Sequence, residues 1–199
     1  HGHGARLPHH PGSAPILFTG LVQERGSWRG VIFTNSDHAE NRLDHLTIEY
    51  GGGWEFTSGL KAGLALDSSG DAVKVRVTNT TIRESEGYGL FLRNEAELPD
   101  FADNTITANT EGAAYVLADA TGQLDDTTGY TGNDRDIVYV ECAYGLNYDQ
   151  TWPAIDVDYL MHESLYVTTH LTIAPGARLV FMQDAGMEVY DAGMLTAEG

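Results

Sequence analysis

Apolar residues in this chain come in short runs closed by turn residues, and no stretch sustains a 3.6-residue period with caps. Val73, Val75 and Val77 alternate with Lys74 and Arg76, the two-residue period of a strand with one face inward and one in water. Residues 43–50 (LDHLTIEY) mostly alternate in the same way. Further apolar runs at 14–20, 31–33, 137–140, 166–167, 171–173, 179–181, 187–189 and 194–195 are separated by Gly, Pro, Asn, Asp and Thr. Such spacing predicts an all-β chain.

The runs also repeat. Residues 75–119 hold two unequal copies of one unit: Val77, Asn79, Ile82 and then Gly89-Leu90-Phe91-Leu92, followed by Phe101, Asp103, Ile106 and then Gly112 and Ala114-Tyr115-Val116-Leu117. An earlier copy has Leu43, His45, Ile48 and Gly63-Leu64-Ala65-Leu66. The aligned isoleucines at 48, 82 and 106 lie 34 and 24 residues apart. Units of this size predict a parallel solenoid, each strand pairing with its equivalents above and below. Ile48, Ile82 and Ile106 are expected to stack inside. His45, Asn79 and Asp103 share a column at the coil bends, where an inward polar side chain is expected to hydrogen-bond the turn backbone.

Residues 1–13, rich in His, Gly and Pro, read as an irregular arm, and 14–199 as one β-domain; 118–136 is the segment least defined by pattern. Composition sharpens the picture. The 199 residues include 23 Gly, and 29 acidic against 11 basic residues give a net charge of −18. An acidic surface argues against nucleic acid and anionic membranes. It suits divalent cations, a high-salt habitat or plain solubility. No apolar run reaches the ~18 residues of a spanning helix. Cys142 is the single cysteine, so neither an intrachain disulfide nor a cysteine-based zinc site can form. Residues from His1 carry no secretory signal pattern, so an exported form is expected to be mature or excised.

The pieces LTIAPGARLVF (171–181), MEVYDAGMLTAEG (187–199), APILFTG (14–20), GSWRGVIF (26–33) and NRLDHLTIEYGG (41–52) together resemble right-handed parallel β-helix repeat proteins of the pectate-lyase-like superfold, in particular a secreted bacterial and archaeal group. The resemblance implies a β-helix and a place outside the cell or on its surface, and is silent on activity. In that group the LTIAPG coil and the LTAxG turn precede the PIxFTG strand; here they come last. Two expectations follow: an excised part of a longer protein, or a last coil continued by the first coil of another copy.

Candidate chemistry is sparse. The superfold often carries polysaccharide lyases, which need a cation and an Arg or Lys base; here no tight Asp cluster stands beside a well-placed base, Lys61 and Lys74 flank different strands, and Arg83 and Arg93 read equally well as outward strand residues. Asp125-Asp126 and Gly2-His3-Gly4 resemble hydrolase elements of the fold, in reversed order and without its Arg-x-Lys element, and no catalytic residue is assigned. If His1 is the terminus, its amine with His1 and His3 could wrap copper or nickel in a plane, with His9 and His10 near; a His-rich loop is the plain alternative. His38, His45, His162 and His170 are scattered. Asp134, Asp136, Asp156 and Asp158 could offer oxygens to calcium. Tyr144, Tyr148 and Trp152 could stack on a sugar or pack a loop, and Asn79-Thr80-Thr81 is a glycosylation sequon.

The expected function is a non-catalytic extracellular or cell-surface structural protein. Its coils would stack head to tail into a filament or form part of an adhesin-like rod. Ile16, Phe18, Val31 and Phe33 would make one contact surface, and Leu179, Phe181, Val189 and Leu195 the other. The alternative is a carbohydrate-active or carbohydrate-binding β-helix acting on an exported polysaccharide.

Overall fold

The computed structural model describes residues 15–56, 59–68, 72–93, 95–143 and 145–199. Its strands follow one another as stacked coils. The first coil holds β1 (Ile16–Phe18), β2 (Val31–Thr34) and β3 (Arg42–Asp44). The next holds β4 (Leu46–Glu49), β5 (Ala62–Asp67), β6 (Val73–Lys74) and β7 (Arg76–Thr78). Then come β8 (Thr81–Arg83), β9 (Tyr88–Leu92) and β10 (Ala96–Glu97), and β11 (Thr105–Thr107) with β12 (Gly112–Leu117) and a 3-10 helix over Ala118–Gln123. The later coils carry β13 (Ile137–Glu141) and β14 (Gln150–Trp152), then β15 (Asp158–Met161), β16 (Leu165–Val167) and β17 (His170–Ile173). The last holds β18 (Leu179–Phe181), β19 (Met187–Val189) and β20 (Met194–Ala197).

Every strand pair is parallel, and a seven-stranded sheet ordered β18-β15-β13-β12-β9-β5-β2 runs the length of the molecule. The chain is a parallel β-solenoid, as its repeats predict. Because the side-chain period is two, register fixes what is inside. Val31, Leu64, Leu90, Ala114, Val138, Tyr159 and Leu179 form one inward column, and Phe33, Leu66, Leu92, Val116, Val140, Met161 and Phe181 the next. On a second side β1, β4, β8 and β11 align Phe18, Ile48, Ile82 and Ile106, which is the expected isoleucine stack with Phe18 added. Leucine and isoleucine sealed there contribute about 1.5–3 kcal/mol each.

The copies meet one residue off the simple motif alignment. Leu90 lies opposite Ala114 and Phe91 opposite Tyr115, so Gly89 corresponds to Ala113. At Gly89 an added Cβ would fall 2.2 Å from Ile106 Cγ2 and 2.8 Å from Asn109 Nδ2, so the backbone here comes too close to the next coil for a side chain.

The bends differ from expectation. His45, Asn79 and Asp103 take φ of 56°, 49° and 55°, and their side chains point outward and are exposed. A left-handed residue turns the corner by sending its own Cβ to solvent and the next residue inward, a conformation Asn and Asp tolerate. The inward polar positions are therefore Thr80, Asn104 and Thr128. Asn104 Oδ1 accepts from Thr80 N at 3.0 Å, its Nδ2 donates to Val77 O at 3.0 Å, and its own N–H donates to Thr128 Oγ1 at 3.2 Å. A second ladder follows Glu84 and Ala108, also left-handed. Ser85 N donates to Asn109 Oδ1 and Asn109 N to Asn133 Oδ1, both at 3.0 Å. These amides satisfy buried backbone groups that would otherwise cost about 1–3 kcal/mol each.

Candidate functional site

In the long sheet, strand pairing stops at the two ends of the solenoid, at β2 and β18. Among the described residues, β1, β2 and β3 each have one strand neighbour, in β4, β5 and β7, and so do β18, β19 and β20, in β15, β16 and β17. Among the described residues these outer edges have no strand to pair with, and an unpaired edge is a template for further pairing. Their apolar side chains are left open as well. Ile16 is 54 % exposed and Leu195 40 %, while Leu46 and Leu171, their counterparts nearer the centre, are buried.

All eight residues expected at the contact surfaces lie on these end strands. Ile16, Phe18, Val189 and Leu195 are exposed, and Val31, Phe33, Leu179 and Phe181 are half-buried. Leu17 and Tyr190, in the same apolar runs, and Met182, just past β18, are open apolar side chains beside them.

A strap between β1 and β2 ties the first coil down the side of the solenoid. Arg25 donates to Glu84 Oε2 at 2.9 Å, to Thr110 Oγ1 at 3.1 Å and to Asp134 Oδ2 at 2.6 Å. These carboxylates hold its guanidinium pKa above the ordinary value, against a smaller opposing effect of burial. Nearby, Arg29 lies 4.1 Å over the exposed Trp54 ring.

The bases considered for lyase chemistry are each tied to a carboxylate. Lys61 pairs with Glu86 at 3.0 Å, Arg83 with Glu49 at 2.6 Å and Arg93 with Asp67 at 3.0 Å, and Lys74 with Glu97. Asp125 accepts from Thr127 N at 3.0 Å within its own turn, while Asp126 is exposed. The aspartates offered to calcium are also engaged. Asp134 holds Arg25, Asp136 accepts from Asn133 N at 2.8 Å, Asp156 from Tyr130 N at 3.0 Å, and Asp158 pairs with Arg178 at 3.2 Å. Among the described residues no group of three or more His, Cys, Asp or Glu could hold a metal ion. His1, His3, His9, His10 and Tyr144 lie outside the described residues. His38 accepts from Glu40 N, His45 contacts Asp44, His162 stacks on Tyr139, and His170 contacts Thr196.

The expected ring cluster separates. Trp152 is fully buried against Tyr159, with ring centroids 5.6 Å apart, whereas Tyr148 is 67 % exposed. Tyr148 borders a groove of about 940 Å³ whose lining includes Glu95, Asp119, Asp149 and Gln150. A different stripe, missed by motif reading, runs along the outer face of the long sheet. Phe91, Tyr115 and Tyr139 follow in register, at 5.7 Å and then 4.7 Å, and the two tyrosine rings are within 12° of parallel. Their faces are turned to one another, which leaves edges rather than faces for a ligand. Burial pushes the Tyr88 hydroxyl up to about 12; it also raises Tyr115, whose hydroxyl donates to Glu141.

Among the described residues no helix is long and apolar enough to cross a membrane. No protein-family model, curated protein or solved structure matches the chain.

Proposed function

We propose that this chain is a non-catalytic structural protein of the cell exterior, a segment of β-solenoid rod whose end coils accept further coils. The place outside the cell follows the secreted pectate-lyase-like group that its motifs resemble. The observation that carries the reading is the contrast within single columns. Phe18 is 38 % exposed where Ile48, Ile82 and Ile106 below it are sealed. Apolar side chains of this size gain about 25 cal/mol per Å² when covered, and the free strand edges beside them gain hydrogen bonds in the same step. A contact of one end on the opposite end does not close, so it propagates as a filament.

Electron microscopy of the purified chain, with Ile16→Asp and Phe18→Asp variants, tests the reading. Filaments are expected from the parent and not from the variants, whose circular dichroism stays that of the parent. Filaments of undiminished length from both variants would remove the end coils from assembly. A second reading, binding of an exported polysaccharide, draws on the open Tyr148 ring beside its groove. It expects calorimetric binding of oligosaccharides that Tyr148→Ala abolishes.

A further inference from the structure

We infer that the partner of each end is a second copy of this chain, docked so that β18 of one copy pairs in parallel with β2 of the next. Leu179 then lies opposite Val31, Val180 opposite Ile32 and Phe181 opposite Phe33. The inference rests on the end-stacking reading and adds to it a partner and a register.

Four observations carry it. First, β18 and β2 are the two outermost strands of one sheet, so they occupy the same side of the solenoid and their free edges face opposite ways along its axis. A translation along that axis brings edge to edge with strand direction preserved, as every pair inside the molecule already has it.

Second, the pleat restricts register to even steps. Leu179 and Phe181 continue the inward columns at one end, and Val31 and Phe33 at the other. A one-residue slip would set the inward Leu179 and Phe181 of one copy against outward positions of the next and break both columns.

Third, the outward column matches only at its ends. Its middle is aromatic, with Phe91, Tyr115 and Tyr139, whereas Ile32 and Ala65 lead it and Leu160 and Val180 close it. Docking therefore sets an aliphatic side chain on an aliphatic one.

Fourth, charge disfavours like ends. Arg42, outward on β3, stacks in register on Arg76 and has no carboxylate partner among the described residues. Like ends would oppose Arg42 to its own copy.

Cysteine pairing reads this register directly. Neighbouring parallel strands lie about 4.8 Å apart, inside the ~4.4–6.8 Å that a disulfide spans between Cα atoms. Ile32 and Val180 point outward, so replacing them leaves the core columns intact, and Cys142 is buried.

The double variant Ile32→Cys/Val180→Cys, oxidised mildly as assembled protein, is expected to run on a non-reducing gel as a ladder of multiples holding most of the chain. An equimolar mixture of the two single variants should stop at dimers, and each single variant alone should stay monomeric. Filaments by microscopy without a ladder would overturn the register while leaving end stacking in place. No filaments and no ladder at any concentration would remove both. Dimers from Ile32→Cys alone would mean that like ends meet about a two-fold axis, and would overturn the inference.

Discussion

Middle and end coils use the same kinds of residue and reach opposite states. In the long sheet β5, β9, β12, β13 and β15 are paired on both edges, while β2 and β18 are paired on one. Eleven of the fourteen exposed large apolar side chains belong to the first coil with its strap or to the last coil, so the exposure is positional rather than compositional. The amide ladders follow the same divide. Asn104, Asn109 and Asn133 link coils in the middle, whereas the last coil is held by backbone rungs, apolar contacts and single bonds such as Gly186 N to Ser164 Oγ at 3.1 Å. Burial in a solenoid is thus a property of the neighbouring coil, and a coil with one neighbour keeps half of its core open.

The largest effect should come from breaking a middle ladder. Asn109→Ala removes the acceptor of buried Ser85 N and the donors to Ile82 O and Asn133, stranding two or more backbone groups at about 1–3 kcal/mol each. A loss of about 4 kcal/mol is expected. Asn41→Ala, whose amide donates to Ser36 O and Lys74 O in a half-buried place in the first coil, should cost about 1 kcal/mol, since water can reach the stranded groups. Urea midpoints at constant slope measure both. Equal losses would dissolve the distinction between middle and end.

Two glycines sharpen it with a single methyl group. Gly89→Ala places a Cβ 2.2 Å from Ile106 Cγ2, whereas at Gly186 in the last coil nothing lies within 4 Å. Overpacking at the first should cost about 1–3 kcal/mol. The second should be neutral or gain about 0.4–1 kcal/mol by restricting the unfolded chain. Thermal melting of the pair decides it, and a Gly186→Ala protein as unstable as Gly89→Ala would mean that the last coil is as tightly packed as the middle.

The middle should also respond to alkali. Burial pushes the Cys142 thiol up to about 12 from 9.0 and the Tyr88 hydroxyl up to about 12 from 10.0. The fold buries the neutral forms, so the stability they lend is complete below about pH 9 and is lost as pH rises towards 12. Urea midpoints should fall across that window, and Cys142→Ala with Tyr88→Phe should flatten the fall. An unchanged slope would place the alkaline sensitivity elsewhere.

Much of this architecture was legible in the sequence, for a physical reason: inward stacking repeats a period of two at coil spacing, so Ile48, Ile82 and Ile106 announce their column. The corners were not. Polar identity at His45, Asn79 and Asp103 says nothing about direction, and the left-handed backbone sends them out and their successors in. The signal for the true ladders was present as the 24-residue spacing of Thr80, Asn104 and Thr128 and of Ser85, Asn109 and Asn133. Trp152 could have been read as inward from its place two residues after Gln150, with Thr151 between them turned out. The end surfaces were legible as apolar runs, but their exposure depends on which coils stack, and a linear pattern does not carry that.

A small loss is expected at Arg25, a side chain that carries the first coil onto three later ones. Its guanidinium and the Glu84 carboxylate are each about one-third exposed, at 30 % and 35 %, and Asp134 is more open at 51 %. Such pairs contribute about 1 kcal/mol or less and are weakened by salt. Arg25→Ala should therefore lower the melting temperature by about 2–4 °C at most, and the difference should shrink in molar salt. The consequence should be local. Hydrogen exchange should quicken at β1 and β2, whose outer edges have no strand neighbour, and stay unchanged at β9 and β12. Faster exchange spread evenly through the long sheet would show that the strap braces the whole solenoid and that the first coil is not a separate weak end.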